Sequence, residues 1–555
     1  MMRHESLGTT RQSRWLPHER VGVLGAALIF VASSWLAGCG QSAPPQAEVS
    51  SIVVAYPFDI QGVNELTTPS TPIMNGMLYF AWFLQLVEEQ PDYEDGPPSF
   101  EPRLAETYEF SPDRLQLTFR LRDDAVWSDG VPVTADDVRW TWQAHTSPEI
   151  GWSFAEAKAR ITDVEVVDAH TVVFHFSEVY AAQLQEANLG IILPKHAWSE
   201  LPFDQWRQNN DWFREHMVVN GPYELESWEP QQRFVLRRNP RYFDPELPKT
   251  ERIVFQITPD TNSRLALLRS GQAHMIEVID PSDAAMIENE PALQLLSHIP
   301  RSFFFVAWNI SRPLFASKEV RQALTLGIDR QEIIDSLHFG YSSPAHSPFP
   351  SNLWAHNAEL EPWPYDPGRA KEILDGLGWV DSDGDGIRDK GGVPFSFELV
   401  TNSESQVRVD VLPMIQQQLK RIGVEVRTRS MEFNALLGPL TDHDFDAVVQ
   451  ALALDTSLNT SYFFHSDAID SGYNWGSYSN PEVDELIEAT IAQTDPLQAK
   501  PLYDRLQEML HEDVPMTFLY ESRRLSAVSK RLHDVDPNAI SGFFHIRRWY
   551  LEDED

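Results

Sequence analysis

The hydrophobic period of this chain switches back and forth between two residues and about 3.6, which restricts it to folds in which strands and helices alternate. "LQLTFRLRD", Leu115 to Asp123, alternates apolar and polar residues as a half-buried strand does. "VTADDVRWTWQAHT" then reads as a helix, with Thr134 as N-cap and Asp137 three residues on, close to a capping box. The same device recurs with Asp329 and Glu332 in "GIDRQEIIDSLHFG", which ends at Gly340. Asp366 caps "YDPGRAKEILDGLG", Pro367 takes the first helical position and Gly378 follows the end. "QVRVDVLPMIQQQLKRIGVEVRTRSM" reads as helix, stop at Gly423, then strand, and Asn480 with Pro481 opens one more helix. The pattern predicts α/β sheets covered by helices. At 555 residues the chain exceeds what one core supports, so at least two domains are expected.

No disulfide can assist such a fold, because Cys39 is the only cysteine. It stands at the end of a segment that begins with Arg3, Arg11, Arg14 and Arg20 and continues through the apolar "VGVLGAALIFVASSWLAG". A basic start, an apolar run shorter than a membrane span and small residues before a cut describe a secretory signal over residues 1–38. "LAGC", Leu36 to Cys39, resembles the bacterial lipobox, which implies lipidation of Cys39 and a flexible linker over 39–50. That places the protein in the periplasm or on the cell surface, anchored to the inner or the outer membrane, and holds its body together by core burial alone.

Charge and motifs exclude several classes. The chain carries 44 basic and 82 acidic residues, and losing residues 1–38 would remove four Arg and two Glu, leaving a net charge of −40. Phosphate binding needs the opposite sign, so nucleic acid is not an expected partner. The sequence has no P-loop, no "HExxH", no "GxSxG" elbow and no CxxC, and His216 and His465 stand alone; nothing asks for an enzyme or a catalytic cofactor.

"DSDGDGIRD" stacks oxygen ligands at alternate positions: Asp381, Asp383 and Asp385, the carbonyl of Ile387, and Asp389, with Gly386 at the turn. An EF-hand would close with a bidentate Glu, but the twelfth position is Gly392, so the closer match is the shorter "DxDxDGxxD" calcium loop. A structural calcium ion and a solvated Asp/Gly turn are both compatible with these residues.

The order of several segments resembles the family 5 extracellular solute-binding proteins of ABC importers, which take up dipeptides, oligopeptides and nickel. The blocks are "PRLAETYEFSPDRLQLTFRLRDDAVWSDGVPVTADDV" (Pro102 to Val138), "VNGPYELESWEPQQRFVLRRNPRYF", "FFFVAWNISRPLFASKEVRQALTLGIDRQEII" and "NWGSYSNPEVDELI". The resemblance implies a type II periplasmic-binding-protein fold, α/β, with two lobes joined by two crossing segments near Phe303 to Ser311 and Met516 to Ser522. The expected layout is a large lobe over 51–307, a second lobe over 308–518 and a C-terminal return over 519–555. It further implies a monomer that closes on a peptide or similarly sized amphipathic solute and delivers it to permease and ATPase subunits.

In peptide-binding members a "W..D" pair lines the second lobe, and its Asp meets the peptide amino group. Alignment on "FDAVVQALALD" puts Asp455 on that Asp but Leu452 on the Trp; Asn474 falls on a peptide-contacting Asn and Tyr462 on a following aromatic. Trp308, Asn309 and Trp475 complete the expected ligand set. Asp455 could equally cap the turn before "TSLNTS", and Trp308, Trp475 and Tyr462 could equally pack in a core. A sensory or adhesive lipoprotein that reuses the fold, and a binder of metal or another solute, are the rival readings.

Overall fold

The computed structural model describes residues 51–552; the expected signal segment, Cys39 and the whole linker over 39–50 lie outside them. The described residues form one compact unit. Two sheets organise it. The first has seven strands in the order Leu293–His298, Arg524–Ser529, Met275–Ile276, Ser51–Tyr56, Arg252–Ile257, Arg233–Arg238 and Tyr223–Glu229. The second has six: Ser342–Pro344, Met516–Ser522, Ser302–Trp308, Ala447–Ala453, Ser396–Asn402 and Glu425–Met431. A four-stranded antiparallel sheet between Ala105 and Phe176 extends the first lobe and shares its apolar core.

The capping residues act as their sequence implies. Thr134 and Asp137 form a reciprocal capping box on helix Ala135–His145. The Asp329, Asp366 and Asn480 carboxylate or amide oxygens accept from Glu332, Arg369 and Glu482 N–H groups at the starts of Arg330–Leu337, Pro367–Gly376 and Pro481–Ala492. Each satisfies an N–H that the first helical turn would otherwise leave unpaired. Gly423, at φ +81°, supplies the left-handed turn that sends the chain from helix Gln406–Lys420 into a strand parallel to Ser396–Asn402.

Sheet membership moves both crossings. Strand Ser302–Trp308 pairs along its whole length with Ala447–Ala453, so it belongs to the second lobe, and the first crossing is residues 299–301, ahead of the expected 307/308 boundary. Strand Met516–Ser522 also lies in the second sheet, whereas Arg524–Ser529 lies in the first, which leaves Arg523 as the second crossing in place of 516–522 and extends the second lobe past 518. The family blocks predict the right strands but not which sheet each one joins, because pairing depends on partners far along the chain.

The lobes touch. Ala181 N–H donates to Ile491 O at 2.9 Å, Trp354 N–H donates to Tyr93 O at 2.7 Å, and Tyr93 sits in the second lobe's apolar cluster. Among the described residues no helix is long and apolar enough to cross a membrane.

Candidate functional site

Strand Ala447–Ala453 is paired on one side over seven rows, but on the other it meets Ser396–Asn402 only at Ala447 and Val448. Beyond that the two strands separate, and the chain runs on through Leu454 to Asp455 and Thr456 at the contact with the first lobe. Leu454 N–H donates to Arg301 O at 2.8 Å, and Thr456 Oγ1 donates to Glu89 Oε2 at 2.7 Å. Arg301 Nη1 donates to the other oxygen of Glu89 at 3.2 Å. Glu89 of the first lobe, Arg301 of the crossing and Thr456 of the second lobe are thus tied together beside Asp455.

Asp455 itself is exposed and accepts from the N–H of Ser457 at 3.0 Å and from its hydroxyl, the turn geometry its sequence allows. Its charge is felt on both lobes. Burial raises the Glu89 carboxyl above the usual range, with Arg301 and Thr456 opposing and Asp455 adding to the rise. Glu186, on helix Gln183–Asn188 of the first lobe, is pushed up to about 7 by burial, against the Tyr180 hydroxyl, Arg160 and Lys158, with Asp455 again reinforcing the shift. Tyr462, 40 % exposed, is raised by burial and then by Glu156, Glu186 and Asp455. The locus where the lobes meet therefore gathers Asp455, Glu89, Glu186 and Glu156 together with Arg301, Arg160 and Lys158, and the exposed Asp455 carboxylate has no basic side chain bonded to it.

The other residues expected from sequence lie inside the second lobe. Trp308 is fully buried, donates its Nε1–H to Thr517 Oγ1 at 3.0 Å and packs on Phe315 and Phe397. Asn309 spends its amide on His443 O and Phe445 O at 2.9 and 2.8 Å, and its oxygen on Ser311. Asn474 likewise bonds His465 O, Tyr478 O and Tyr478 N–H, and Trp475 is buried next to Tyr473. In this conformation these four lie in the scaffold: the Asn309 and Asn474 amides hold the loops around 443–478 together, the Trp308 indole is tied to Thr517 and Trp475 packs on Tyr473. Asp455 and Tyr462 remain at the lobe contact. Glu89, Glu186 and Arg301 were missed because they come from separate segments with no shared motif, and only the fold brings them together.

The "DSDGDGIRD" loop is exposed in the second lobe, between helix Pro367–Gly376 and strand Ser396–Asn402, with none of the lobe-contact residues. Asp381, Asp383 and Asp385 offer carboxylate oxygens within 4.8 Å of one another. Asp389 turns its carboxylate to Ser382 instead, and Ile387 donates its N–H to Asp385 at 2.7 Å.

Comparison with known proteins gives a consistent result. The family model for bacterial extracellular solute-binding proteins, family 5 (middle region), matches residues 99–475. The chain is 29% identical over 456 residues to the oligopeptide-binding protein AppA of Bacillus subtilis, covering 81% of this chain and 83% of that one. It is 26% identical over 438 residues to the glutathione-binding protein GsiB of Salmonella typhimurium, covering 77% and 82%. The structure of AppA from Bacillus subtilis in complex with a nonapeptide superposes with a TM-score of 0.75 at 26% identity, over 91% of this chain and 99% of that one. The fold of NikA from Brucella suis, in complex with Fe(III)-EDTA, matches with a TM-score of 0.79 at 20% identity, over 91% and 100%.

Proposed function

This chain belongs to the bacterial extracellular solute-binding proteins of family 5 and has their type II periplasmic-binding fold, and from that premise we propose that it is the substrate-binding subunit of an ABC importer that captures a peptide. The observation that carries the peptide assignment is the strand Ala447–Ala453, whose ladder with Ser396–Asn402 ends after Val448 while its other side stays paired, and which delivers Asp455 to the lobe contact. An extended ligand can add its backbone to such an open edge, while the carboxylates beside it receive a free amine. Selective capture then follows from differential affinity: a ligand that bridges both lobes stabilises the closed arrangement, which the permease and ATPase partners receive.

The test is binding of penta-alanine and its N-acetylated form to wild type and Asp455→Asn. Asp455 is exposed here, so part of its charge is screened, and the free-amine peptide should weaken about tenfold, or roughly 1.4 kcal/mol. The acetylated peptide should be indifferent to the substitution. Calorimetry on the four pairs isolates the coupling; a coupling near zero removes Asp455 from the amine site.

Two further features complete the proposal. Lipidation of Cys39 would tether the protein outside the cytoplasmic membrane, so Cys39→Ala should move it to the soluble fraction on membrane sedimentation while peptide binding persists. Equal sedimentation of the two forms would reject the anchor. A calcium ion held by Asp381, Asp383 and Asp385 would stiffen the second lobe, so a chelator should lower the melting temperature of wild type and not of Asp383→Asn/Asp385→Asn. Identical melting in all four samples would mean a metal-free turn.

A further inference from the structure

A cavity of about 200 Å³ lies wholly within the second lobe, under the loop that follows strand Ser342–Pro344, and none of Asp455, Glu89 and Glu186 lines it. Its polar lining includes His346, His356, Ser351, Glu361 and Glu521, and its floor is Phe303 with several prolines. Among the described residues that line it there is no Lys or Arg.

Each of the two imidazoles donates one ring N–H to a backbone carbonyl, which fixes where that proton sits. Their ring centroids are 4.6 Å apart. His346 Nε2 is 3.1 Å from Asn357 O, and His356 Nδ1 is 2.8 Å from Phe349 O. A carbonyl oxygen only accepts, so each of these nitrogens carries a ring proton, and the neutral His346 ring keeps the lone pair of Nδ1. Burial, with His356 adding, pushes His346 down to about 4, so it is neutral at pH 7. Glu521 is buried and receives the N–H and hydroxyl of Ser351 at 2.8 and 2.5 Å, not a basic side chain. Behind His346, Arg330 spends its guanidinium on the carbonyls of Trp363 and Phe518. The cavity thus presents two carboxylates and the His346 acceptor, with no Lys or Arg in its lining to answer them.

A bare metal ion does not suit this arrangement. Among the described residues, only Asp381, Asp383 and Asp385 bring three potential ligand groups within 4.8 Å of one another. An ammonium group, which can donate to one or two of these acceptors and to water with its remaining N–H, does suit it. A volume of about 200 Å³ holds about six waters at ~30 Å³ each, which corresponds to an organic molecule of about half a dozen heavy atoms. We propose that this cavity binds a small organic cation with a primary ammonium group, at a site separate from the one where the lobes meet.

Its position gives the site a route to lobe movement. Asn352, next to Ser351, donates to Ile299 O of the first crossing at 2.7 Å, and Glu521 lies in the strand that ends just before Arg523, the second crossing. An occupant would therefore bear on both connections.

The probe is n-butylammonium chloride, titrated into the full chain by calorimetry at pH 7.5, with n-butanol as the neutral control. Saturable binding of the cation alone is expected, weakened at least tenfold in Glu521→Gln and unchanged in Glu200→Gln, an exposed carboxylate of the first lobe outside both sites. Melting curves establish that the variants fold; should Glu521→Gln not fold, His346→Phe, which removes that acceptor at similar volume, should weaken binding at least threefold. Absence of saturable binding, equal binding of n-butanol, or a loss in Glu200→Gln with none in Glu521→Gln would each overturn the proposal.

Discussion

Replacing Arg547 with methionine should lower the free energy of unfolding by about 3 kcal/mol, because it strands a carboxylate that the fold has taken out of water. Glu88, 6 % exposed in strand Val87–Glu89, lies between two arginines. Arg547 approaches it in a fork, Nη1 to Oε2 at 3.1 Å and Nη2 to Oε1 at 2.8 Å, and Arg103 Nε meets Oε2 at 2.8 Å. Arg547 is itself 3 % exposed, on the short helix Ile546–Arg548 of the C-terminal return. After Arg547→Met, Arg103 still compensates part of the Glu88 charge, so the loss falls at the low end for a broken buried pair. The double variant Arg547→Met/Glu88→Gln should not recover it, because Arg103, which pairs with Glu88 through Nε and Nη2, is then the buried charge left without its partner. Urea unfolding measures both; a loss below about 1 kcal/mol for the single variant would show that Arg103 alone neutralises Glu88.

The second large effect is a pH dependence centred on Glu186 and Lys158. Burial pushes Glu186 up to about 7 from 4.5, so between those values the folded state holds a proton that the unfolded state has released. Folding binds more protons there, and this group's contribution to stability therefore falls as pH rises from about 4.5 to 7, by about 2–3 kcal/mol. Lys158 donates to the carbonyls of Ala187 and Leu189 at 3.3 and 2.7 Å and to that of Glu186, and burial pushes it down to about 7 from 10.5. It is protonated in both states below 7, and above 7 the unfolded chain binds the extra proton, so its contribution rises with pH. Together the two place a local minimum of stability near neutrality. The charged neighbours of Glu186 are Arg160, Lys158 and Asp455, with the Tyr180 hydroxyl bonded to it. Glu186→Gln should flatten the melting temperature between pH 4.5 and 7 relative to wild type. Parallel curves for the two proteins would show that Glu186 titrates normally.

The local architecture was legible because its signals are local. Thr134 with Asp137, Asp329, Asp366 with Pro367, and Asn480 with Pro481 mark helix starts through hydrogen bonds that span three residues, and the structure has each of them. The family and its fold were legible from the ordered blocks. The site was legible only in part. Asp455 and Tyr462 do lie where the lobes meet, but Trp308, Asn309, Asn474 and Trp475 have the residue types of ligand contacts and are buried in the scaffold. Whether an asparagine faces a ligand or two carbonyls depends on loops brought in from elsewhere, as Asn309 shows with His443 and Phe445. Glu89 and Thr456 are separated by more than three hundred residues, with |i−j| of 367, and no sequence pattern connects them.

The position of strand Arg524–Ser529 has a consequence for biogenesis. It lies inside the seven-stranded sheet, between Leu293–His298 and Met275–Ile276, although it is made almost last. Until it emerges, the first sheet has a gap that separates Leu293–His298 from the other strands, whereas every strand of the second sheet has been synthesised by Ser522. The nascent polypeptide therefore cannot complete its N-terminal half before its C-terminal end is available. For a chain that must be exported, this postpones tertiary closure until translation is nearly finished, keeping it threadable while it waits for the translocation machinery.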